Sequence, residues 1–254
     1  MPVILLTNDD GIDAPGLQAL ESGLGALDAD IWVVAPNVER SACGRSVTLD
    51  RPLRVERVGE RRMAVDGTPS DCVLLAFRKL LSPRPDVVVS GINRGFNVGE
   101  DVDYSGTVGA ASEATLQGAR VSLAVSVEAN SFERVVKSAA EFTLDLVQAL
   151  LDQPPPKGCF VNANLPPDHQ KRFRWTRQGN PLPAGKVEVG ADPRGKEYYW
   201  IAERPDEENP PADTDRGALS DGYISLSLLT LDRNAQQTWT RPALEKNGYR
   251  EAGR

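Results

Sequence analysis

Short apolar runs recur along this chain, and stretches with helical spacing separate them. Runs of this length, rich in valine and isoleucine, predict strands that are buried on both faces of a sheet. Strands are predicted at residues 3–6, 31–36, 87–91, 121–126 and 160–166, and helices at 16–25, 70–77, 108–116 and 132–151. The alternation predicts an α/β fold, a Rossmann-like and mostly parallel sheet with helices on both faces, followed by a C-terminal β-rich extension.

Weaker alternating patterns lie outside these runs. Residues 46–49 and 53–55 predict a hairpin or two edge strands. After Pro166 the chain becomes rich in proline, glycine and charge, with alternating pieces at 186–189 and 198–201 and a late strand at 223–228 that we expect to return to the main sheet. We therefore expect a catalytic core over residues 1–166 and, over 167–254, a β extension with a C-terminal arm that packs on the core and a partner subunit.

Composition narrows the class of protein. The 254 residues carry a net charge of -7, which argues against a protein that grips long nucleic acid by neutralising phosphates. No apolar stretch is long enough for a membrane span, and Met1-Pro2-Val3-Ile4 lacks the basic region of a signal peptide. The three widely spaced cysteines form neither a zinc pattern nor a disulfide framework, so we expect a reducing cytoplasm. The single histidine, His169, lies in a polar turn and is expected to face solvent.

Candidate chemistry begins where the first strand ends, at Asn8-Asp9-Asp10-Gly11. Two adjacent carboxylates at a strand end repel each other and lose hydration, a conflict that a divalent cation resolves. An Asx turn followed by glycine would explain the same residues without a metal. Both readings stay open at this point.

Two further polar loops follow predicted strands, at residues 36–46 and 90–99. The second of these loops places the amides of Asn93 and Asn97 among glycines and leads into Ser105-Gly106-Thr107, where a helix of small residues begins. A helix N-terminus of this composition can bind phosphate, and a glycine turn with a serine N-cap explains it equally well. Neither a Walker A loop nor a dinucleotide fingerprint is present.

Six motifs occur in a fixed order along the chain. They are Thr7-Asn8-Asp9-Asp10-Gly11-Ile12, Ala35-Pro36 with Glu39-Arg40-Ser41, Val65-Asp66-Gly67-Thr68-Pro69-Ser70-Asp71-Cys72, Ser90-Gly91-Ile92-Asn93 with Gly95, Asn97 and Gly99, Tyr104-Ser105-Gly106-Thr107-Val108, and Asn162 with Asn164 and Pro166. Together they resemble the SurE family, the survival proteins that act as metal-dependent nucleotidases. The resemblance is strong over residues 2–166 and looser at Thr214-Asp215 and at Gly222-Tyr223-Ile224-Ser225.

The resemblance implies one divalent ion, Mg²⁺ or Mn²⁺, and a nucleoside monophosphate as substrate. It implies hydrolysis of the 5′-phosphate, with 3′-nucleotidase and exopolyphosphatase activities as further expectations, in a homodimer or homotetramer. The metal ligands it implies are Asp9, Asp10, Ser41 and Asn93, and the phosphate contacts are Asn97, Ser105, Gly106 and Thr107.

Roles for individual residues follow as hypotheses. Asp9, Asp10 and Asn93 form the expected catalytic set, with Asp9 as the candidate that orients or deprotonates the attacking water. The sequence contains no Ser–His or Cys–His pair that would indicate a covalent phosphoenzyme. Asn8, Asn162 and Asn164 are expected to brace the metal loops by hydrogen bonds. Arg45 departs from the family, and we favour a surface ion pair over a phosphate contact for it.

Several residues are expected to be structural. Cys43 is interpreted as a small buried thiol, and Asp66 and Asp71 as a turn residue and an acid in the first turn of a helix. The aromatic cluster Tyr198-Tyr199-Trp200 is expected at a subunit interface. The alternative functions are a nucleotide- or phosphate-binding regulatory module without turnover and a phosphatase with an aspartyl nucleophile, for which the Asp-x-Asp spacing is missing.

Overall fold

The computed structural model describes residues 1–180, 186–201 and 209–234 of the chain. Two short helical turns supplement the main elements, a π-helical turn at Ala76–Leu80 and a 3-10 turn at Ala129–Ser131. The strands and helices follow in the order β1 (Val3–Thr7), α1 (Pro15–Leu24), β2 (Asp30–Pro36), β3 (Val55–Gly59), β4 (Arg62–Val65), α2 (Pro69–Leu75), β5 (Val87–Arg94), α3 (Asp101–Tyr104), α4 (Gly106–Gln117), β6 (Val121–Val127), α5 (Phe132–Asp152), β7 (Cys159–Leu165), β8 (Phe173–Thr176), β9 (Val187–Ala191), β10 (Glu197–Ile201), α6 (Asp215–Ser220) and β11 (Ile224–Thr230).

One twisted sheet organises the molecule, with strand order β3-β4-β2-β1-β5-β6-β7-β11-β8. Its central strands β4, β2, β1, β5, β6 and β7 are parallel, whereas β3 pairs with β4 and β11 with β7 in antiparallel fashion. The predicted α/β fold is confirmed. The carboxyl ends of β1, β2 and β5 therefore meet at one edge, which is where an open α/β sheet forms its binding crevice.

Both faces of the sheet are covered, because alternate residues of each strand enter two separate cores. Ile4 and Leu6 of β1 pack in a core with the buried sides of α1 and α5. Leu5 points the other way and packs with residues of α2 and α4 such as Val73 and Ala110. The continuous apolar runs in the sequence arise from this double burial.

The predicted strand at residues 46–49 is wrong. The hairpin instead joins β3 to β4, starting at Val55. Thr48 does not enter a strand because its backbone N–H and hydroxyl both donate to the Asp71 carboxylate, at 2.9 and 2.6 Å. Asp71 also completes a capping box with Thr68 at the start of α2, as expected of an acid in the first turn of a helix.

The late strand returns to the main sheet as predicted, as β11 beside β7. β8 also joins this sheet, while β9 and β10 form a separate two-stranded sheet that projects exposed side chains, with Trp200 at 68 % and Ile201 at 86 % exposure. His169 is buried rather than solvent-facing, because its Nδ1 accepts a hydrogen bond from the Lys171 N–H at 3.0 Å. Within the described ranges, no helix has the length and apolarity needed to cross a membrane.

Candidate functional site

A cavity of about 620 Å³ opens at the carboxyl edge of the sheet, between the loops that follow β1, β2 and β5. The four predicted metal ligands and two of the four predicted phosphate contacts line it. These residues are Asp9, Asp10, Ser41, Asn93, Asn97 and Ser105. Asp9 and Asn93 are 84 positions apart along the chain, and the parallel pairing of β1 with β5 brings both to this cavity.

The loop after β1 is fixed by an Asx turn. The side-chain nitrogen of Asn8 donates to the Gly11 carbonyl at 2.8 Å, and its oxygen accepts from the Gly11 N–H at 3.2 Å. Asn8 is fully buried, so it braces the loop while the two aspartates that follow reach the cavity. The turn and the carboxylate pair therefore coexist in one segment.

Asp9 is held by the start of helix α4. Its carboxylate accepts hydrogen bonds from the Thr107 N–H at 3.0 Å and from the Thr107 hydroxyl. A side chain at Gly106 would meet Cys43 Sγ at 2.8 Å and Asp9 Oδ2 at 2.9 Å, so only glycine allows the helix to come this close. The positive end of the helix dipole favours the Asp9 anion.

This contact gives Gly106 and Thr107 a structural role that was not expected from their position in the sequence. Both polar groups of Thr107 are engaged with Asp9, and neither residue lines the cavity. Gly106 allows close packing and Thr107 holds the Asp9 carboxylate, and their contact with a phosphate stays a prediction. Residue spacing alone carries no signal for this contact, because a hydroxyl at a helix start can bind either a carboxylate or a phosphate.

The two adjacent carboxylates are electrostatically costly. Burial raises the pKa of Asp9 above its usual value, and the hydrogen bonds from Thr107 lower it in part. Burial raises the pKa of Asp10 to about 6, with further increases from the charges of Asp9 and Glu39, while the backbone N–H and charge of Arg94 oppose them. A bound cation would relieve this cost by favouring both ionised forms.

The two neutral candidate ligands are oriented by neighbours. The Ser41 hydroxyl donates to Glu39 Oε1 at 2.7 Å, which leaves the lone pairs of Ser41 Oγ as its remaining polar capacity. The side-chain nitrogen of Asn93 donates to the Gly95 carbonyl at 2.8 Å. The side-chain oxygen of Asn93 is therefore the atom left for a metal.

The donor chemistry fits a hard divalent ion, since all four groups offer oxygen. Two carboxylates match the charge of one such ion, and the hydroxyl and amide add coordination without charge. Across the described residues, no group of three or more histidine, cysteine, aspartate or glutamate side chains is placed to hold a metal ion. The candidate centre is thus a mixed one, in which serine and asparagine complete the aspartate pair.

The loop after β5 is tied to β7 by asparagines. The Asn97 N–H donates to Asn164 Oδ1 at 2.8 Å, and the Asn97 carbonyl accepts from Asn162 at 2.8 Å and Asn164 at 3.1 Å. The side-chain nitrogen of Asn97 donates to Ser126 Oγ at 2.7 Å. Asn162 and Asn164 thus lie behind the cavity wall and hold its backbone, the arrangement that their alternation on a strand end predicts.

Ser105 is the N-cap of α4. Its hydroxyl oxygen accepts the Val108 N–H at 3.1 Å, so the hydroxyl proton can still be donated into the cavity that Ser105 lines. The helix is twelve residues long and begins at the cavity wall. Anion binding and capping are therefore compatible at this residue.

Sequence reasoning missed several residues of the cavity. Arg94 ion-pairs with Glu133 at 2.7 Å, and its guanidinium lies 4.5 Å from the centre of the Phe132 ring. The only local signal was the position of Arg94 and Phe96 between the glycines and asparagines of the third loop. The cavity residues without a predicted role are Ala14, Pro15, Gly16, Glu39, Ala42, Arg94, Gly95, Phe96, Asp101, Tyr104 and Phe132.

The remaining candidates lie outside the cavity. Arg45 is exposed and donates to Ser112 Oγ at 3.1 Å, so its surface position agrees with the prediction although its partner is a serine rather than an acid. Cys43 is half-buried, and burial is the main cause that raises the pKa of its thiol. Asp66 accepts the Arg54 N–H at 2.7 Å beside β4, as a turn residue would.

The sequence of this chain matches a known protein family. Residues 4–183 match the family described as Survival protein SurE. The chain is 44 % identical over 235 residues to a 5′-nucleotidase SurE from Geotalea daltonii, covering 90 % of this chain and 93 % of that protein. It is 44 % identical over 231 residues to a 5′-nucleotidase SurE from Syntrophotalea carbinolica, covering 91 % and 92 % respectively.

A solved structure agrees with these relatives. The crystal structure of the SurE protein from Aquifex aeolicus superposes with a TM-score of 0.79 at 37 % identity, over 92 % of this chain and 95 % of that one. Both the sequence and the architecture match over almost the full described length. The chain therefore belongs to the SurE family.

Proposed function

We propose that this chain is a metal-dependent 5′-nucleotidase that hydrolyses nucleoside monophosphates to nucleoside and phosphate. The curated relatives carry that activity in their names, and they cover nine-tenths of the chain. The observation that carries the proposal is the meeting of Asp9, Asp10, Ser41 and Asn93 at one cavity wall beside Asn97 and Ser105. A cavity of about 620 Å³ falls in the range for small-molecule sites.

One divalent ion, Mg²⁺ or Mn²⁺, fits the oxygens of Asp9, Asp10, Ser41 and Asn93. Such an ion, when bound, polarises phosphoryl oxygens and lowers the pKa of a bound water. Hydrogen bonds within the chain orient the two neutral ligands. Glu39 holds the hydroxyl proton of Ser41, and Gly95 holds the amide of Asn93, so both ligands present a fixed oxygen.

The substrate phosphate is assigned to Asn97 and Ser105. The Asn97 amide has two hydrogens and uses one on Ser126, and the Ser105 hydroxyl proton is available for a phosphoryl oxygen. Asp9 remains the candidate that orients or deprotonates the attacking water. Thr107 assists it indirectly, because its two hydrogen bonds fix the direction of the Asp9 carboxylate.

The deciding experiment is phosphate release from AMP and GMP after EDTA treatment and again after Mn²⁺ or Mg²⁺ is restored. We expect release only with metal, and a loss of at least about 100-fold in Asp9→Asn, as is typical when a group central to the chemistry is removed. Asp13→Asn is the matched control, since Asp13 is an exposed aspartate of the same loop outside the cavity. A 3′-nucleotide and a short polyphosphate in the same assay test the two further activities.

No release from any nucleotide by a folded, metal-loaded protein would support the regulatory binding module instead. Circular dichroism and metal titration establish that state before the assay is interpreted. A phosphorylated aspartate trapped during turnover would favour the aspartyl-nucleophile mechanism.

The assembly and the compartment are part of the same proposal. A homodimer or homotetramer would cover the exposed apolar side chains of β9 and β10, including Val189, Tyr199 and Trp200, because a two-stranded sheet is marginal in water by itself. The free thiols of Cys43, Cys72 and Cys159 support a reducing compartment, the cytoplasm.

A further inference from the structure

The loop of residues 97–100 is held by residues far along the chain. Both backbone polar groups of Gly99 are engaged. Its N–H donates to Asp215 Oδ2 at 2.8 Å, and its carbonyl accepts from Gln178 Nε2 at 2.6 Å. Asp215 lies 116 residues and Gln178 79 residues away in sequence. Neither residue lines the cavity.

Asp215 is completely buried at the first position of α6. Its second carboxylate oxygen, Oδ1, accepts the N–H groups of Gly179 at 3.0 Å and Arg216 at 2.8 Å. Three backbone N–H groups from three segments therefore converge on one carboxylate. Replacing either oxygen with an amide nitrogen would set a donor against a donor.

Arg216 holds the same loop through its guanidinium. It donates to Glu100 Oε2 at 2.6 Å and to the Asn180 carbonyl at 2.8 Å, and the side chains of Arg216 and Glu100 are only 12 % and 9 % exposed. A Cβ on Gly99 would lie 2.2 Å from Arg216 Nη1. The guanidinium thus lies directly against the Gly99 backbone, whose φ of +53° also favours glycine.

The opposite side of the loop faces β7, where Asn162 and Asn164 bind the Asn97 backbone. The 97–100 loop is therefore held from two sides, by asparagines of β7 and by the start of α6. Asn97 lines the cavity only two residues before Gly99. A shift of Gly99 would move Asn97, and an error of about 1 Å in a positioning group can cost about 100-fold in rate.

We infer that Asp215 and Arg216, together with Gln178, are positioning residues that keep Asn97 in register with the substrate phosphate. This inference rests on the proposed function, because it uses the assignment of Asn97 to phosphate. It gives a role to the Thr214-Asp215 motif, which lies outside the metal and phosphate sets. Thr214 caps α6 by accepting the Gly217 N–H at 3.1 Å, which fixes the direction from which Asp215 reaches the loop.

The test compares nucleotide binding with metal binding in Asp215→Asn. We expect the KM for AMP and the inhibition constant for inorganic phosphate to rise at least about tenfold. The Mn²⁺ dissociation constant, measured by titration calorimetry, should stay within about threefold, because Asp9, Asp10 and Ser41 lie on other loops and the fourth metal ligand lies within β5. A general loss of structure would weaken metal and phosphate binding together.

Asp221→Asn is the matched control. Asp221 ends the same helix and ion-pairs with Arg174 at 2.9 Å, away from the 97–100 loop. It should leave both binding constants unchanged. If Asp215→Asn behaves like this control, the inference is overturned.

Asn97→Ala distinguishes the positioning role of Asp215 from the proposed contact between Asn97 and phosphate. If Asn97→Ala weakens phosphate binding and Asp215→Asn does not, the positioning role is wrong and the phosphate assignment stands. If Asn97→Ala has no effect, the phosphate assignment fails and the inference fails with it. When Asp215→Asn does not fold, Gln178→Leu provides the same comparison, since it removes only the bond to the Gly99 carbonyl. An unchanged phosphate constant in that variant overturns the inference.

Discussion

The Asp9 carboxylate accepts two hydrogen bonds from Thr107, one from the backbone N–H over 3.0 Å and one from the hydroxyl. The two residues are 98 positions apart in sequence. The contact joins the end of β1 to the start of α4 and fixes a carboxylate that burial would otherwise make costly to ionise. The loops of the site are thus linked before any ligand binds.

The first prediction concerns this contact. Thr107→Val keeps the shape of the side chain and removes the hydroxyl donor, so Asp9 loses one of its two bonds from Thr107. We expect the free energy of unfolding to fall by about 1.5–3 kcal/mol, the range for a hydrogen bond to a charged group. We also expect phosphate release to fall at least about tenfold.

Thr115→Val is its control, because Thr115 lies on the same helix and its hydroxyl donates only to the Ala111 carbonyl at 3.0 Å. Chemical denaturation and the AMP assay measure the two effects. Equal behaviour of the two variants would mean that the Thr107 hydroxyl does not matter for Asp9.

Metal binding should stabilise the protein strongly. An ion that binds the folded state at 100 times its dissociation constant adds about 2.7 kcal/mol to the free energy of unfolding. We expect Mn²⁺ to raise the Tm of the chain and to raise that of Asp10→Asn much less, because one of the two carboxylates is then neutral. Differential scanning calorimetry with and without Mn²⁺ measures the difference, and Asp13→Asn should respond as the unchanged protein does.

His169 should titrate below the usual range. Burial is the main cause that lowers its pKa from 6.5, and Nδ1 can accept the Lys171 N–H only when that nitrogen is unprotonated. Since the folded pKa lies below the unfolded one, the associated stability is present above about pH 6.5 and is lost as the pH falls towards the folded pKa.

Nuclear magnetic resonance can follow this group without assignment, because the chain has a single histidine. We expect one imidazole signal with a pKa below 6.5 and the proton on Nε2 at neutral pH. A pKa at or above 6.5 would contradict the buried position. His169→Asn should remove the corresponding pH dependence of unfolding while its side-chain oxygen can still accept the Lys171 N–H.

Asp71 should matter for stability and not for catalysis. It is 1 % exposed, and its carboxylate binds Thr48 twice and the Thr68 N–H at 2.9 Å. Asp71→Ala should lower the free energy of unfolding by about 3 kcal/mol, since it removes a capping box and leaves partly buried donors of Thr48 and Thr68 without their acceptor. Denaturation gives the stability, and kcat per folded molecule should stay unchanged; a large loss of kcat would place Asp71 in the site after all.

The exposed sheet of β9 and β10 should control assembly. Its side chains Tyr199, Trp200 and Ile201 are 63 %, 68 % and 86 % exposed in the single chain. Tyr199→Ser combined with Trp200→Ser should reduce the oligomer size measured by sedimentation. Leu49→Ser offers a control, because Leu49 is 89 % exposed but lies far along the chain from this sheet. An unchanged assembly in the double variant would exclude the sheet as the interface.

Local patterns predicted much of the fold. The runs at β1, β2, β5, β6 and β7 and the spacing of α1, α4 and α5 were visible because burial imposes a period on each segment. The predicted strand at residues 46–49 is wrong because a contact between distant residues overrides the local pattern. Its alternation is genuine, but Thr48 binds Asp71 across 23 residues, and this bond replaces a sheet ladder. His169 was misplaced because a polar turn does not reveal which side chain folds inward.

The sequence by itself determined the family and the strand ends that carry the candidate ligands, because adjacent carboxylates, glycines and asparagines in fixed order leave few alternatives. The tertiary structure alone decided the partner of each polar group. Thr107 faces Asp9, Glu39 takes the proton of Ser41, and Asp215 reaches Gly99. Hydrophobic period is a local property, whereas a hydrogen bond between distant segments depends on how strands are ordered and how helices cross them. Those relations exist only in the folded chain.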